Sequence, residues 1–321
     1  MTLKAGSLSP DYSRRRVLPD DAVIRMETLC DGGKVRILLL PAQADTRRGS
    51  ILFLNGRADF FEKYLESLIH WREQGFDVTA MDWRGQGGSG RISADPLMGH
   101  AASFDPWVDD LDEMVAKWRS VSAPPYYLVA HSMGGHLALR LLAERGPALD
   151  AVVLTAPLLG LKVDPLPEWL ARPIIRHKIK RGLSEAYAWG QARRPKYTEK
   201  RRQRVLTRDA SRYKDEGWWI ARQPALALGG VSWGWLDAAY RSIDRLKAAG
   251  ALERIAVPVL FVLAEDDKIV STPAALALAR RIPKAEVALF DGAHELLRET
   301  DPVRLAVWAR IDAFLDRCRA G

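Results

Sequence analysis

Apolar positions along this chain fall into short runs separated by longer stretches with helical spacing. The runs are residues 50–54, 76–81, 126–130, 151–155, 257–263 and 285–290. Runs of this length suit strands buried on both faces of a sheet. Between them, residues 104–120 put Val108, Leu111, Val115 and Trp118 on one helical face. Comparable spacing predicts helices over 60–74, from Ser132 to about 145, and over 238–249, 273–281 and 301–318. Residues 22–30 and 34–40 read as two strands joined by the hairpin turn Asp31-Gly32-Gly33. The first twenty residues, with Pro10 and Pro19, read as a loose arm. After the hairpin, strand and helix alternate with no further hairpin signal. The fold class is therefore α/β, with a mostly parallel central sheet flanked by helices.

That alternation breaks after Pro157. From 161 to about 234 there is no run of the buried-strand type, only basic, tryptophan-rich helical sequence punctuated by prolines. An inserted helical cap is expected there. The division predicted is an arm at 1–21, a first part of the core at 22–160, the cap at 161–236 and a second part of the core at 237–321.

Charge sharpens the division. The chain of 321 residues carries a formal net charge of +8, yet residues 168–222 hold sixteen Lys or Arg against six Asp or Glu. The remainder is slightly acidic. Residues 169–235 also hold six of the eleven tryptophans. No apolar run is long enough to span a bilayer, and Arg14-Arg15-Arg16 is followed by Val17-Leu18-Pro19-Asp20-Asp21 in place of a secretory core. Cys30 and Cys318 are far apart and lack metal-ligand spacing, which suits a reducing compartment. A cytoplasmic location is expected, with no metal and no cofactor.

Candidate chemistry centres on the stretch from Tyr126 to Leu139. An apolar run ends in Ala130-His131-Ser132, Met133-Gly134-Gly135 follows, and a helical pattern begins. This predicts a strand, a tight turn and a helix, with Ser132 at the apex in a strained backbone position. Ala130 and Gly134 are the small neighbours such a turn needs. The helix behind the serine directs its free N–H groups at the same point. A serine hydroxyl needs a base, and the base needs a partner that holds its tautomer. Residues 257–263 run out into Glu265-Asp266-Asp267, and residues 285–290 into Asp291-Gly292-Ala293-His294. In a parallel sheet both loops lie on the carboxyl edge with Ser132. His294 is the expected base, and Asp267 the expected acid, with Asp266 as the alternative. Glu265 and Asp291 are expected to close turns. His131 and His136 are assigned to packing and solvent contact, while His70, His100 and His177 have no identifiable partner. A serine at such a position also serves as a plain helix cap, and a loop histidine as a turn residue; the Ser…Asp…His order weighs against both.

Together Asn55-Gly56-Arg57, Asp82-x-Arg84-Gly85-x-Gly87-x-Ser89, His131-Ser132-Met133-Gly134-Gly135, Asp267-x-Ile269-Val270 and Gly292-Ala293-His294-Glu295 resemble the lysophospholipase and monoacylglycerol lipase branch of the α/β-hydrolase superfamily. The likeness runs from about residue 22 to 317 and is nearest to its bacterial lysophospholipase L2 group. It implies an α/β-hydrolase fold, a Ser132–Asp267–His294 triad, and an oxyanion hole made by the backbone N–H groups of Arg57 and Met133. Two positions depart from the pattern. Ala130 stands where a glycine is usual, and Asn55 where a histidine commonly precedes the glycine. Backbone donors do not depend on side chain, so Asn55 bears on how its loop is braced and not on the hole. The run Gly85-Gln86-Gly87-Gly88-Ser89-Gly90 lacks the spacing and the Lys-Ser/Thr of a phosphate-binding loop; the resemblance makes it a structural loop beside the site.

The cap bears on substrate. Trp169, Trp189, Trp218, Trp219, Trp233 and Trp235 exceed what the core of so small an insertion holds, so some are expected to line an apolar pocket over Ser132 that takes an acyl chain. The Arg and Lys around them favour anionic membrane surfaces or phosphate head groups; a solvated helical face is the plainer explanation. Nucleic-acid binding is not expected. The reading is a serine carboxylester hydrolase on lysophospholipids or monoacylglycerols. Its alternatives are a peptidase or amidase of the same fold, a general small-ester esterase, and a non-turning-over binding module. An aminopeptidase would need a carboxylate pair in the cap, for which Asp215-Glu216 is the candidate.

Overall fold

The computed structural model describes residues 10–162, 166–192 and 199–320. Its centre is an eight-stranded sheet: β1 (Val23–Thr28), β2 (Lys34–Leu40), β3 (Gly49–Leu54), β4 (Phe76–Met81), β5 (Tyr126–His131), β6 (Ala151–Thr155), β7 (Val259–Ala264) and β8 (Ala285–Phe290). The order across the sheet is β1-β2-β4-β3-β5-β6-β7-β8. The hairpin β1–β2 and the pair β2–β4 are antiparallel, and every other pairing is parallel. Strands β3, β5, β6 and β7 are buried almost throughout, which explains their near-continuous apolar sequence.

Helices cover both faces. On one lie α3 (Asp105–Val121), α4 (Met133–Glu144), α8 (Trp233–Lys247) and α9 (Thr272–Ala279). Trp107, Val108, Leu111 and Trp118 of α3 pack there, on the face their spacing predicts. On the other lie α2 (Leu65–Glu73) and α10 (Asp301–Ala320), with Leu68, Trp71, Ile311 and Phe314 against the sheet. Between β6 and α8 come α5 (Glu168–Lys180), α6 (Glu199–Leu206) and α7 (Ala210–Arg222), with no strand among the described residues of that stretch. Arg193, Arg194 and Lys196 of the basic run lie outside the described residues.

Two expectations need correction. The described part of the N-terminal arm is a helix, α1 (Pro10–Arg16), packed on α2 and α7. Arg16 Nε donates to Asp215 Oδ1 at 2.7 Å, Arg15 Nη2 donates to Ser211 Oγ at 2.8 Å, and Trp219 Nε1 donates to the Arg15 carbonyl at 3.0 Å. Its arginines find partners far along the chain, which local sequence does not reveal. Helix α8 also starts at Trp233, ahead of the expected 238, because Ser232 caps it by accepting from Trp235 N–H at 3.0 Å. Trp233 and Trp235 are thereby core residues of that helix.

Packing at the head of α4 is the tightest contact behind Ser132. A Cβ on Gly134 would sit 2.5 Å from the Asn55 carbonyl oxygen and 2.8 Å from that of Leu54, and backbone cannot yield as a side-chain tip can. Gly134→Ala is therefore expected to lower stability by about 1–3 kcal/mol. Chemical denaturation measures this; an unchanged midpoint contradicts the contact.

Candidate active site

Ser132 joins β5 to α4 with φ 51° and ψ −114°. A residue with a Cβ holds this left-handed conformation only where its surroundings impose it. Its N–H donates to the Thr155 carbonyl at 2.9 Å, and its carbonyl accepts from the amides of His136 and Leu158 at 3.0 Å each. The peptide is pinned and the hydroxyl projects.

His294 and Asp267 meet it from the loops after β8 and β7. Asp267 Oδ1 accepts from the amides of Ile269 and Val270 at 2.7 and 3.0 Å. Oδ2 is left to accept from His294 Nδ1 at 2.7 Å. A proton held on Nδ1 leaves Nε2 as an acceptor, and it takes the Ser132 hydroxyl at 2.9 Å. Burial opposes an imidazolium at His294, but the Asp267 carboxylate outweighs it and lifts the ring above its usual 6.5. Burial likewise opposes the charge of Asp267, yet His294 and the two amides hold the carboxyl below its ordinary value. Asp266 is exposed and pairs with Lys268, so the structure brings Asp267 to His294 and leaves Asp266 outside. Asp291, expected to close a turn, pairs with Arg208.

Gly56 lets the β3 loop lie against the serine, since a Cβ there would come within 3.2 Å of Ser132 Cβ. Among the described residues, neither the Arg57 nor the Met133 amide donates to a protein acceptor. Gln86 bridges their two segments: its Oε1 accepts from Ala58 N–H at 2.7 Å, and its Nε2 lies 3.8 Å from Met133 Sδ. Asn55 has its own brace, donating through Nδ2 to Asp82 Oδ1 at 2.9 Å. Asp82 also accepts from Phe61 N–H, Gly88 N–H and Arg36, so this carboxylate ties β2, the β3 loop and the glycine-rich loop together. Arg36 pairs bidentately with Glu62 as well, at 2.8 Å twice. Burial pushes the Glu62 carboxyl up to about 7.

A second buried charge cluster went unread in the sequence. Lys63 contacts Asp59, Glu295 and Glu216, and Glu295 also pairs with Arg298. Glu216 belongs to α7 and accepts from Arg202 of α6 at 2.7 Å. The cap is thus tied to the loop carrying His294, and backbone repeats the tie. His294 N–H donates to Val205 O at 3.3 Å and Glu295 N–H to Leu206 O at 2.7 Å. The readable signals were Glu295 beside His294 and the i,i+4 spacing of Asp59 and Lys63.

Four histidine assignments change. His131 and His136 are buried, not solvent contacts. His131 Nδ1 lies 3.1 Å from Thr155 Oγ1, and His136 Nε2 lies 2.6 Å from Ser242 Oγ. Burial pushes them down to about 4 and about 3, so both are neutral. His70 has a partner in Asp312 at 2.8 Å, and His100 in Ser232 at 2.8 Å. Of the six cap tryptophans, Trp219, Trp233 and Trp235 are buried and Trp169 is 72% exposed. Trp235 lines a narrow cavity with Gln86, Met98 and Arg57. Among the described residues, no three His, Cys, Asp or Glu side chains are grouped to hold a metal ion.

A family model described as Hydrolase_4, serine aminopeptidase S33, matches residues 45–301. The chain belongs to the Hydrolase_4 family. Lysophospholipase L2 of Escherichia coli is 30% identical over 294 residues, covering 87% of this chain and 84% of that protein. The probable lysophospholipase L2 of Haemophilus influenzae is 31% identical over 280 residues, 84% of each. Among solved structures, a soluble variant of monoglyceride lipase from Saccharomyces cerevisiae superposes with a TM-score of 0.73 at 18% identity, over 92% of this chain and 94% of that one. That last likeness is one of fold, the α/β-hydrolase fold expected of a Hydrolase_4 member.

The Asp267–His294 contact sets a pH expectation. An NMR titration of the His294 ring should give a midpoint above 6.5. Asp267→Asn, which removes the charge that stabilises the imidazolium, should lower it; Asp266→Asn should leave it in place. A midpoint insensitive to Asp267→Asn contradicts the contact.

Proposed function

We propose that this Hydrolase_4 member is a serine carboxylester hydrolase acting on monoacyl lipids, lysophospholipids or monoacylglycerols, through an acyl-enzyme. Ser132 Oγ attacks the ester carbonyl while His294 Nε2 takes its proton. Asp267 keeps the ring in the attacking tautomer and stabilises the imidazolium that forms. The amides of Arg57 and Met133 stabilise the oxyanion; one such donor typically contributes about 3–4 kcal/mol to the transition state. His294 returns the proton to the departing glycerol oxygen, then activates water to release the fatty acid. The observation that carries this reading is the hydrogen-bonded line from Asp267 through His294 to a serine in left-handed backbone. The two bacterial relatives named as lysophospholipases support the choice of substrate.

The family description names a serine aminopeptidase, so a peptidase is the second reading. A free amino terminus requires an uncommitted carboxylate. Asp215 is paired with Arg15 and Arg16, and Glu216 with Arg202 and Lys63. This favours the ester reading. No helix among the described residues is long and apolar enough to cross a membrane. Peripheral contact with an anionic membrane surface is supported by α5. That helix exposes Trp169, Leu170 and Ile174 on an element rich in Arg and Lys.

Ser132→Ala should lower hydrolysis of p-nitrophenyl esters and monoacyl lipids on the order of 10⁴-fold or more, since triad members act as a unit. Steady-state assays with aminoacyl amides alongside separate esterase from peptidase. Equal ester turnover by wild type and Ser132→Ala would contradict the role of Ser132. A preference for the amides would favour the peptidase.

A further inference from the structure

One cation beside the serine has no carboxylate of its own. Four cationic side chains, Arg57, Lys63, Arg202 and Arg298, surround three carboxylates, Asp59, Glu216 and Glu295. Asp59 is engaged by Lys63 and the Tyr64 hydroxyl, Glu295 by Lys63 and Arg298, and Glu216 by Arg202 and Lys63. Among the described residues, Arg57 forms no ion pair. Its Nη1 donates to the Gly229 carbonyl at 3.0 Å, and Nε and Nη2 meet no acceptor there.

The backbone that carries this guanidinium lies close to the chemistry by construction. Gly56 packs on Ser132, so the next residue's side chain starts at the edge of the reaction centre. From there it enters the narrow cavity lined by Gln86, Gly99, His100, Leu228 and Trp235. The side chain is half-buried. Burial pushes it down to about 10, which leaves it cationic at neutral pH. A partly desolvated cation without a counter-ion costs free energy that an incoming anion recovers. Free N–H groups on a planar guanidinium suit the paired oxygens of a phosphate. In a lysophospholipid, a glycerol unit alone separates phosphate from the scissile ester. With that ester at Ser132, the phosphate falls within reach of a long side chain on the adjoining loop.

We propose that the Arg57 side chain binds the phosphate of a lysophospholipid head group and sets a preference for phosphate-bearing over neutral monoacyl lipids. The proposal rests on the monoacyl-lipid reading above and adds a residue that chooses between its two substrates. Arg57 thus has two separate duties, its amide on the oxyanion and its guanidinium on the head group.

The test compares a lysophosphatidylglycerol with a monoacylglycerol of the same acyl chain, using wild type, Arg57→Lys and Arg57→Gln. The readout is the ratio of kcat/KM for the two lipids, which cancels any shared effect on the oxyanion. Wild type should favour the phospholipid, and Arg57→Gln should cut the ratio about ten- to a hundredfold, with Arg57→Lys between them. Inhibition of p-nitrophenyl ester hydrolysis supplies a measurement independent of variant folding. Glycerol 3-phosphate should inhibit wild type competitively and more strongly than glycerol or inorganic phosphate. An unchanged ratio in Arg57→Gln, or glycerol inhibiting as well as glycerol 3-phosphate, overturns the proposal while leaving the hydrolase reading intact. Inorganic phosphate inhibiting as strongly as glycerol 3-phosphate assigns the guanidinium to a free anion and overturns the head-group role. Ester turnover with neither lipid cleaved sinks the monoacyl-lipid reading, and this proposal with it.

Discussion

The site depends on how closely the start of α4 approaches the end of β3. Gly134 rests against the carbonyls of Leu54 and Asn55, with no room for a methyl group between them. That contact draws the turn tight enough to hold Ser132 at positive φ, which lifts its hydroxyl off the sheet. The same approach carries the Gly56-Arg57 peptide to the serine, so one steric constraint sets both nucleophile and adjacent amides. Strain at Ser132 is held by its surroundings, through the hydrogen bond its amide donates to the Thr155 carbonyl and those its carbonyl accepts from the His136 and Leu158 amides.

Charge organises the rim that sterics define. Each face of the serine has its own buried network, Asp82–Arg36–Glu62 under the β3 loop and Asp59–Lys63–Glu295–Glu216 under the cap. Buried ions are expensive unless every partner is present, so such networks fix geometry more surely than they add stability. Here the second network includes residues of α7 and of the loop after His294. With the hydrogen bonds that the His294 and Glu295 amides donate to the Val205 and Leu206 carbonyls, it makes this side of the cap part of the histidine's support and not a detached lid. The apolar, exposed face of α5 lies on a different part of the insertion.

Much of this architecture was legible in the sequence for a simple reason. Strands buried on both faces need apolar residues at every position, and β3, β5, β6 and β7 announce themselves that way. That Ser132, Asp267 and His294 share one edge followed from each lying after a strand of a parallel sheet. What stayed hidden depends on partners distant in sequence. Arg14-Arg15-Arg16 fall in what reads as a loose arm, yet two of the three meet Asp215, some 200 residues on. Lys63 went unread and Glu295 was read only as part of the motif around His294, and local sequence does not show that both charges are buried together. The tryptophans misled in the other direction. Trp233 belongs to the core of α8, while Trp235 of the same helix also lines the narrow cavity with Arg57, so composition promised more pocket residues than packing leaves free. The place of Asp267 before Lys268-Ile269-Val270 favours it over Asp266, and the contacts that separate them, two backbone amides and the imidazole on one carboxylate, appear only in three dimensions.

The central claim is that Ser132 becomes covalently acylated during turnover. Rapid acid quenching of the enzyme on a monoacyl lipid, followed by peptide mass mapping, tests it directly. The account predicts a fatty-acyl mass increment on the peptide containing Ser132, accumulating before steady state. Acylation of a different residue would contradict it, as would lipid turnover with no acylated peptide at any quench time.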